Sequence, residues 1–285
     1  MRLSDKAAVA YCGLVAFLCV ARASAVAYWW AYAAAHLAIA GALIALSRRQ
    51  HAGAVGFVRT WDAIVYVPLL FVMAMRLVHA VNPNDWDDTL ARWDGAIGGL
   101  ELLRSMASIE RPWLTDAMKL AWITYYFLPL MMAVPLVRMG TFLEAKDALV
   151  AAWLTTFVVY FAMPAMGPGW FEQRLNVPQP KWDEGSVSRP AKRVIDWLDA
   201  PHPRHTFPSG HVMVAAIVSW YLLRHRRWAW AAVAVPLAAL IVFSTIYLRY
   251  HYIVDVIGGL ALAAAFVLIA RRTAPTLAPR DEALH

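Results

Sequence analysis

A chain of 285 residues with 61% hydrophobic and only 16% charged side chains cannot bury its apolar surface in one water-soluble core, which points to a polytopic membrane protein. The net charge of +7 does not mark a nucleic-acid binder, because the basic residues stand in small groups at the ends of apolar segments and form no continuous basic face. Cys12 and Cys19 share a helical face in the first apolar segment without being bonding partners, and read as packing residues.

Mostly apolar runs of bilayer-crossing length fall near residues 7–24, 27–46, 61–80, 118–138, 148–166, 208–223, 228–248 and 251–270. They predict an all-α integral membrane protein, a bundle of about eight transmembrane helices. The first two runs are separated only by small residues around Arg22 and Ser24, so a total of six or seven spans stays open. Arg2 and Lys6 before the first run and "ARASA" after it give residues 1–25 some likeness to a secretory signal. A second apolar run follows at once, which favours a retained span. His36 in the second span is expected to be paired within the bundle, and Arg76 and His79 at the end of the third to snorkel.

An even number of spans places both termini on one side, with Arg48, Arg49, Arg59, Arg138, Lys146, Arg224, Arg226, Arg227, Arg271 and Arg272 in short loops there. By the positive-inside rule that side is cytoplasmic, and the long loops 81–117 and 167–207 face the periplasm or cell exterior. In the first long loop Trp86, Leu90, Trp93, Ile97 and Leu100 recur at steps of four and three, predicting one amphipathic helix on the membrane surface. Asp87, Asp88, Asp94 and Glu101 are assigned to its wet face. In the second, "SRPAKRVIDWLDAP" predicts a short helix opened by Ser188, with Pro190 in its first turn. The tail after Arg272 is expected to be disordered.

The polar stretch "RHTFPSGHVMVAA" (204–216) heads an apolar span. Pro208 suits a first helical turn, and Ser209, Gly210 and His211 then place unpaired backbone N–H groups at the helix start, where phosphate binds readily. Gly210 gives an anion access to the backbone, and Ser209 adds a hydroxyl donor. One apolar hairpin later, "STIYLRYHYIVDVIGG" carries His251 and Asp255 spaced i, i+4, within hydrogen-bonding reach on a helix. A carboxylate on Nδ1–H leaves the Nε2 lone pair outward, as a nucleophilic or general-base histidine needs. Arg249 supplies a fixed positive charge. Read alone, such a pair also fits a proton relay. "HPRH" at 202–205 lacks the cysteines or carboxylates of a zinc site, so no metal is expected.

With "PSGH" and the downstream His-xxx-Asp, residues 61–270 resemble the type 2 phosphatidic acid phosphatase (PAP2) superfamily, which implies a six-helix catalytic core there. Residues 1–60 would then be an N-terminal addition of two spans and a loop, and 271–285 a cytoplasmic tail. The stretches "DDTLARWDGAIGG", "MPAMGPGW" and "YLRYHYIVDVIGG" are similar to the branch that includes fungal inositol phosphorylceramide synthase. The resemblance implies His251 as the nucleophile, Asp255 as the residue orienting it and His211 as the acid for the departing oxygen. Ser209 and Gly210 would hold phosphate oxygens, and no cofactor is implied.

Two departures stand out. The family's Lys-x6-Arg-Pro motif is matched only by Lys181 and Arg189-Pro190 with seven residues between, and the Gly167-Pro168 turn is an alternative. The family's Ser-Arg before the histidine is Ser244-Thr245 here, leaving Arg249 to fill the charge deficit. The expected function is a lipid-phosphate phosphatase of the cytoplasmic membrane acting through phosphohistidine. The alternatives are a phosphotransferase between lipids, and a transporter or lipid-binding protein with a His–Asp proton relay, although no internal repeat supports the last.

Overall fold

Apolar sequence in a bilayer has no water to satisfy its backbone, so the chain closes its hydrogen bonds within helices. In the computed structural model, which describes residues 1–49, 53–169 and 204–273, every regular element is helical. In chain order these are α1 (Leu3–Ala21), α2 (Trp29–Ser47), α3 (Gly53–Trp61), α4 (Ala63–Val81), α5 (Asp87–Ala96) and α6 (Gly99–Ser105). There follow α7 (Pro112–Thr124), α8 (Leu128–Val137), α9 (Phe142–Ala162), α10 (Gly210–Arg224), α11 (Trp228–Tyr247) and α12 (Ile253–Thr273). Single turns of 3-10 helix cover Met106–Ile109 and Tyr125–Phe127.

Among the described residues seven stretches are long and apolar enough to cross a membrane: α1, α2, α3 with α4, α7 with α8, α9, α11 and α12. α10 is a shorter apolar helix, and its 15 residues reach only about 22 Å. The first two spans are separate helices packed on each other, with Tyr28 in the left-handed region (φ 55°) before α2. The α7–α8 span is interrupted where Pro129 enters the first turn of α8, since a proline there gives no backbone donor to the turn before it.

α9 is the shared wall. One side joins α1, α2 and α4 in a core that includes Tyr11, Cys12, Cys19, Leu70 and Phe157. The other side faces α8, α10, α11 and α12 around Leu149, Met213, Tyr221 and Ile241. Both cysteines are buried and unbonded. His36 is buried, with Nδ1 at 2.7 Å from the Tyr32 carbonyl and its ring 6.1 Å from that of Tyr11.

The first long loop departs from the predicted surface helix in two ways. It is broken at Gly98, which takes φ +77° between α5 and α6. The buried face of α5 is Asp87, Leu90, Ala91 and Asp94, whereas Trp93 and Ile97 of the apolar stripe are exposed. Two carboxylates turn inward because backbone N–H donors await them below, a draw that a count of apolar residues does not register. The region 170–203, holding the predicted Ser188 helix with Lys181 and Arg189, lies outside the described residues, as does the tail 274–285.

One end of the bundle is fastened by buried charge. Arg59 of α3 pairs with Asp5 of α1 at 2.6 Å and with Asp62 at 2.9 Å, while Lys146 of α9 pairs with Asp62 and donates to the Arg59 carbonyl at 2.5 Å. Arg2 meets Asp147 at 3.0 Å, and the Ser4 hydroxyl donates to the same carboxylate at 2.6 Å. Removing one partner of a buried pair strands the other's charge, at a cost of about 3–5 kcal/mol. Asp62→Ala is therefore expected to lower the unfolding temperature in detergent far more than Arg104→Ala, whose pair with Glu101 is exposed. Equal effects of the two changes would show that the network is hydrated.

Candidate active site

Ser209 caps α10: its backbone is extended and its Oγ accepts from the Val212 N–H at 3.4 Å. Pro208 therefore precedes the cap rather than occupying the first helical turn as predicted, and the Phe207–Pro208 peptide is cis. The Ser209 N–H donates to the Asp255 carbonyl at 3.0 Å, which ties the start of α10 to the first turn of α12. A Cβ at Gly259 of α12 would lie 2.5 Å from the Ser209 carbonyl oxygen, whereas one at Gly210 would meet only Tyr160 Oη at 3.5 Å. The steric demand for glycine thus falls at Gly259, where the two backbones nearly touch.

His251 and Asp255 are paired, although not on one helical face. α12 begins at Ile253, so His251 stands in the turn before it and Asp255 is the third helical residue, folding back. Asp255 Oδ2 lies 3.1 Å from His251 Nδ1 and accepts the Tyr252 N–H at 2.9 Å. A carboxylate at this position satisfies a donor of the helix start and fixes the imidazole at once. Both side chains are buried. Burial holds the His251 imidazole well below its ordinary range, His205 adding in the same direction and the Thr206 backbone opposing, so the ring is neutral at neutral pH.

The ring of His211, second residue of α10, lies 6.1 Å from that of His251, a separation at which one phosphoryl group can contact both. Trp122 of α7 stacks on His211 at 4.6 Å, and Tyr125 lies at 4.1 Å. His211 Nε2 and Asp255 Oδ1 are buried polar atoms with no hydrogen-bond partner, as expected where a polar ligand is to complete the site. Arg249 has φ +55° and is fully buried, its Nη1 donating to the Tyr247 carbonyl at 2.9 Å and to Glu110 at 3.3 Å. Arg204 is bound by Asp85 at 2.6 and 3.2 Å, while the His205 ring packs 6.0 Å from Tyr160.

Sequence reasoning missed the two buried carboxylates of α5. Asp87 accepts from the N–H groups of Met166 and Gly167 at 2.9 and 2.8 Å and from the Tyr252 hydroxyl at 3.3 Å. Asp94 accepts the Val254 N–H at 3.0 Å, capping the first turn of α12. Burial raises both carboxyls above their usual range, and the backbone donors oppose it. The Gly167–Pro168 turn is pressed on the same segment: Gly167 has φ +91°, and a Cβ on it would lie 2.6 Å from the Tyr250 carbonyl oxygen. The spacing i, i+3, i+4, i+7 of Asp87, Leu90, Ala91 and Asp94 was the available signal, hidden because two of the four are charged. Asp87→Ala strands three donors and is expected to destabilise the protein by roughly 2–3 kcal/mol, while Tyr252→Phe, which leaves the two N–H bonds in place, costs less. Thermal unfolding of the two variants in detergent measures this, and the reverse order would contradict it.

Comparison with curated proteins and with solved structures gave no match. The family model of the PAP2 superfamily matches residues 88–269, more than half of the chain, from the first turn of α5 into the last turns of α12. That range encloses Asp94, Ser209, His211, His251 and Asp255. The chain belongs to the PAP2 superfamily, a family of helical membrane proteins that are generally phosphatases.

Proposed function

We propose that the protein is a lipid-phosphate phosphatase of the cytoplasmic membrane, acting through a phosphohistidine at the outer face. The observation that carries this reading is the His251–Asp255 pair at 3.1 Å with the His211 ring 6.1 Å from His251, at the start of α10. In the proposed step the Nε2 lone pair of neutral His251 attacks phosphorus as the phosphorus–oxygen ester bond breaks. His211 gives its proton to the leaving alkoxide, and the lipid alcohol departs. Water then attacks phosphorus, the phosphorus–nitrogen bond breaks, and His211 recovers a proton from that water. Asp255 holds the Nδ1 side of the ring throughout.

The developing charge on phosphorus oxygens would meet the N–H groups of Gly210 and His211 at the positive end of α10. Ser209 shapes that end as its cap. Arg249, whose guanidinium pairs with Glu110 at 3.3 Å, is the candidate positive charge taken from the sequence, and Lys181 and Arg189 are further candidates from the same source. The basic residues of the short loops support cytoplasmic termini and an outward-facing site.

A phosphotransferase resembling inositol phosphorylceramide synthase is the second reading, in which an alcohol replaces water. The stretches "DDTLARWDGAIGG" and "MPAMGPGW" favour it, because Asp87, Asp94 and Gly167 within them contact the His251 segment directly.

A panel of lipid phosphates, with and without acceptor alcohols, tests both readings on purified protein. Wild type is expected to release phosphate, or to form a new phospholipid when an acceptor is present, and orthovanadate to inhibit it. His251→Ala is expected to lose at least about 1,000-fold, the scale of losing a catalytic nucleophile. Undiminished turnover by His251→Ala rejects the assignment, and insensitivity to vanadate points instead to a proton relay.

A further inference from the structure

His211 differs from His251 in what surrounds it. Among the described residues no carboxylate pairs with His211, whereas His251 has Asp255. His211 also sits in the first turn of α10, where the helix dipole presents its positive end and disfavours a protonated ring. An acid at that position needs another source of favourable potential.

Two aromatic rings lie against it. Trp122, in the last turn of α7, stacks on the imidazole with centroids 4.6 Å apart and planes 24° from parallel. Tyr125, in the 3-10 turn that follows, lies at 4.1 Å and 35°. Both are anchored. Trp153 of α9 donates its indole N–H to the Tyr125 hydroxyl at 2.9 Å, and Trp122 packs 5.2 Å from Tyr250, the neighbour of His251. The faces of aromatic rings carry negative potential and attract a cation above them, an imidazolium included.

We propose that Trp122 and Tyr125 are positioning residues for the leaving-group step: they fix the His211 ring and favour its protonated form, so that a proton is in place when the ester bond breaks. This rests on the acid role given to His211 above. The clamp acts through His211 and needs no contact with the substrate. Its effect therefore grows with the basicity of the leaving group: an alkyl alcohol needs the proton, and a phenolate of low pKa departs without it.

The test compares an alkyl lipid phosphate with an aryl phosphate bearing a good leaving group, both measured on the same preparation of each variant. The readout is the ratio of kcat for the two esters, from which any misfolded fraction cancels. His211→Ala sets the reference. Trp122→Leu and Tyr125→Leu are expected to lower kcat for the alkyl ester roughly 10-fold, the scale of a cation–π contact, and that for the aryl ester by less than about 3-fold. Trp122→Phe, which keeps a π face, is expected to restore most of the loss. If His211→Ala changes the ratio and neither leucine variant does, the clamp is wrong while the acid role stands. If His211→Ala itself leaves the ratio unchanged, the acid role fails and the clamp falls with it. Equal losses on both esters in the leucine variants would reduce Trp122 and Tyr125 to packing.

Discussion

Asp255 is the joint on which the site depends. Its side chain takes the His251 ring and the Tyr252 N–H on one oxygen, and its main-chain carbonyl takes the Ser209 N–H. One residue therefore orients the proposed nucleophile, fixes the turn before α12 and brings in the start of α10 with His211. Such a joint holds only if the two helices approach closely, and the bare Cα of Gly259 against the Ser209 carbonyl permits that approach. A carboxylate so deeply buried is costly in isolation. Its donors and its geometry offset that cost, and α5 adds a second layer through Asp87 and Asp94.

The bundle separates two kinds of buried polarity. At the end where α1, α4 and α9 begin, Asp5, Arg59, Asp62 and Lys146 neutralise one another. At the end where α10 and α12 begin, polar atoms of His211 and Asp255 are without partners. The 21 residues of α9 separate the two ends by about 31 Å. The first arrangement balances its charges, although the Nε atoms of Arg2 and Arg59 within it have no hydrogen-bond partner. The second is open and suited to a ligand.

Much of this was legible in residues alone. Bilayer-length apolar runs gave the spans, because lipid makes the hydrophobic signal long and uninterrupted. "PSGH" and His251-xxx-Asp255 identified the residues that α10 and α12 bring together. What was not legible turned on tertiary donors. Asp87 and Asp94 looked like a wet helical face because their partners, the N–H groups of Met166, Gly167 and Val254, lie some 80 to 160 residues away in the chain. Local chemistry also moved two boundaries. Ser209, not Pro208, opens α10, and α12 starts after His251 because the folded-back Asp255 carboxylate takes the Tyr252 N–H. The contact of His211 with the stacked Trp122 ring and the tilted Tyr125 ring joins segments nearly 90 residues apart, and no local pattern announces it.

If His251 is the nucleophile, it carries the phosphoryl group between the two half-reactions. Rapid quenching of the purified protein during turnover of a lipid phosphate labelled on phosphorus, followed by peptide mapping under alkaline conditions, tests it most directly. An acid-labile, alkali-stable phosphate is expected on the peptide containing His251 and absent from His251→Ala. A label on another residue, or turnover in His251→Ala at the wild-type rate, would contradict it.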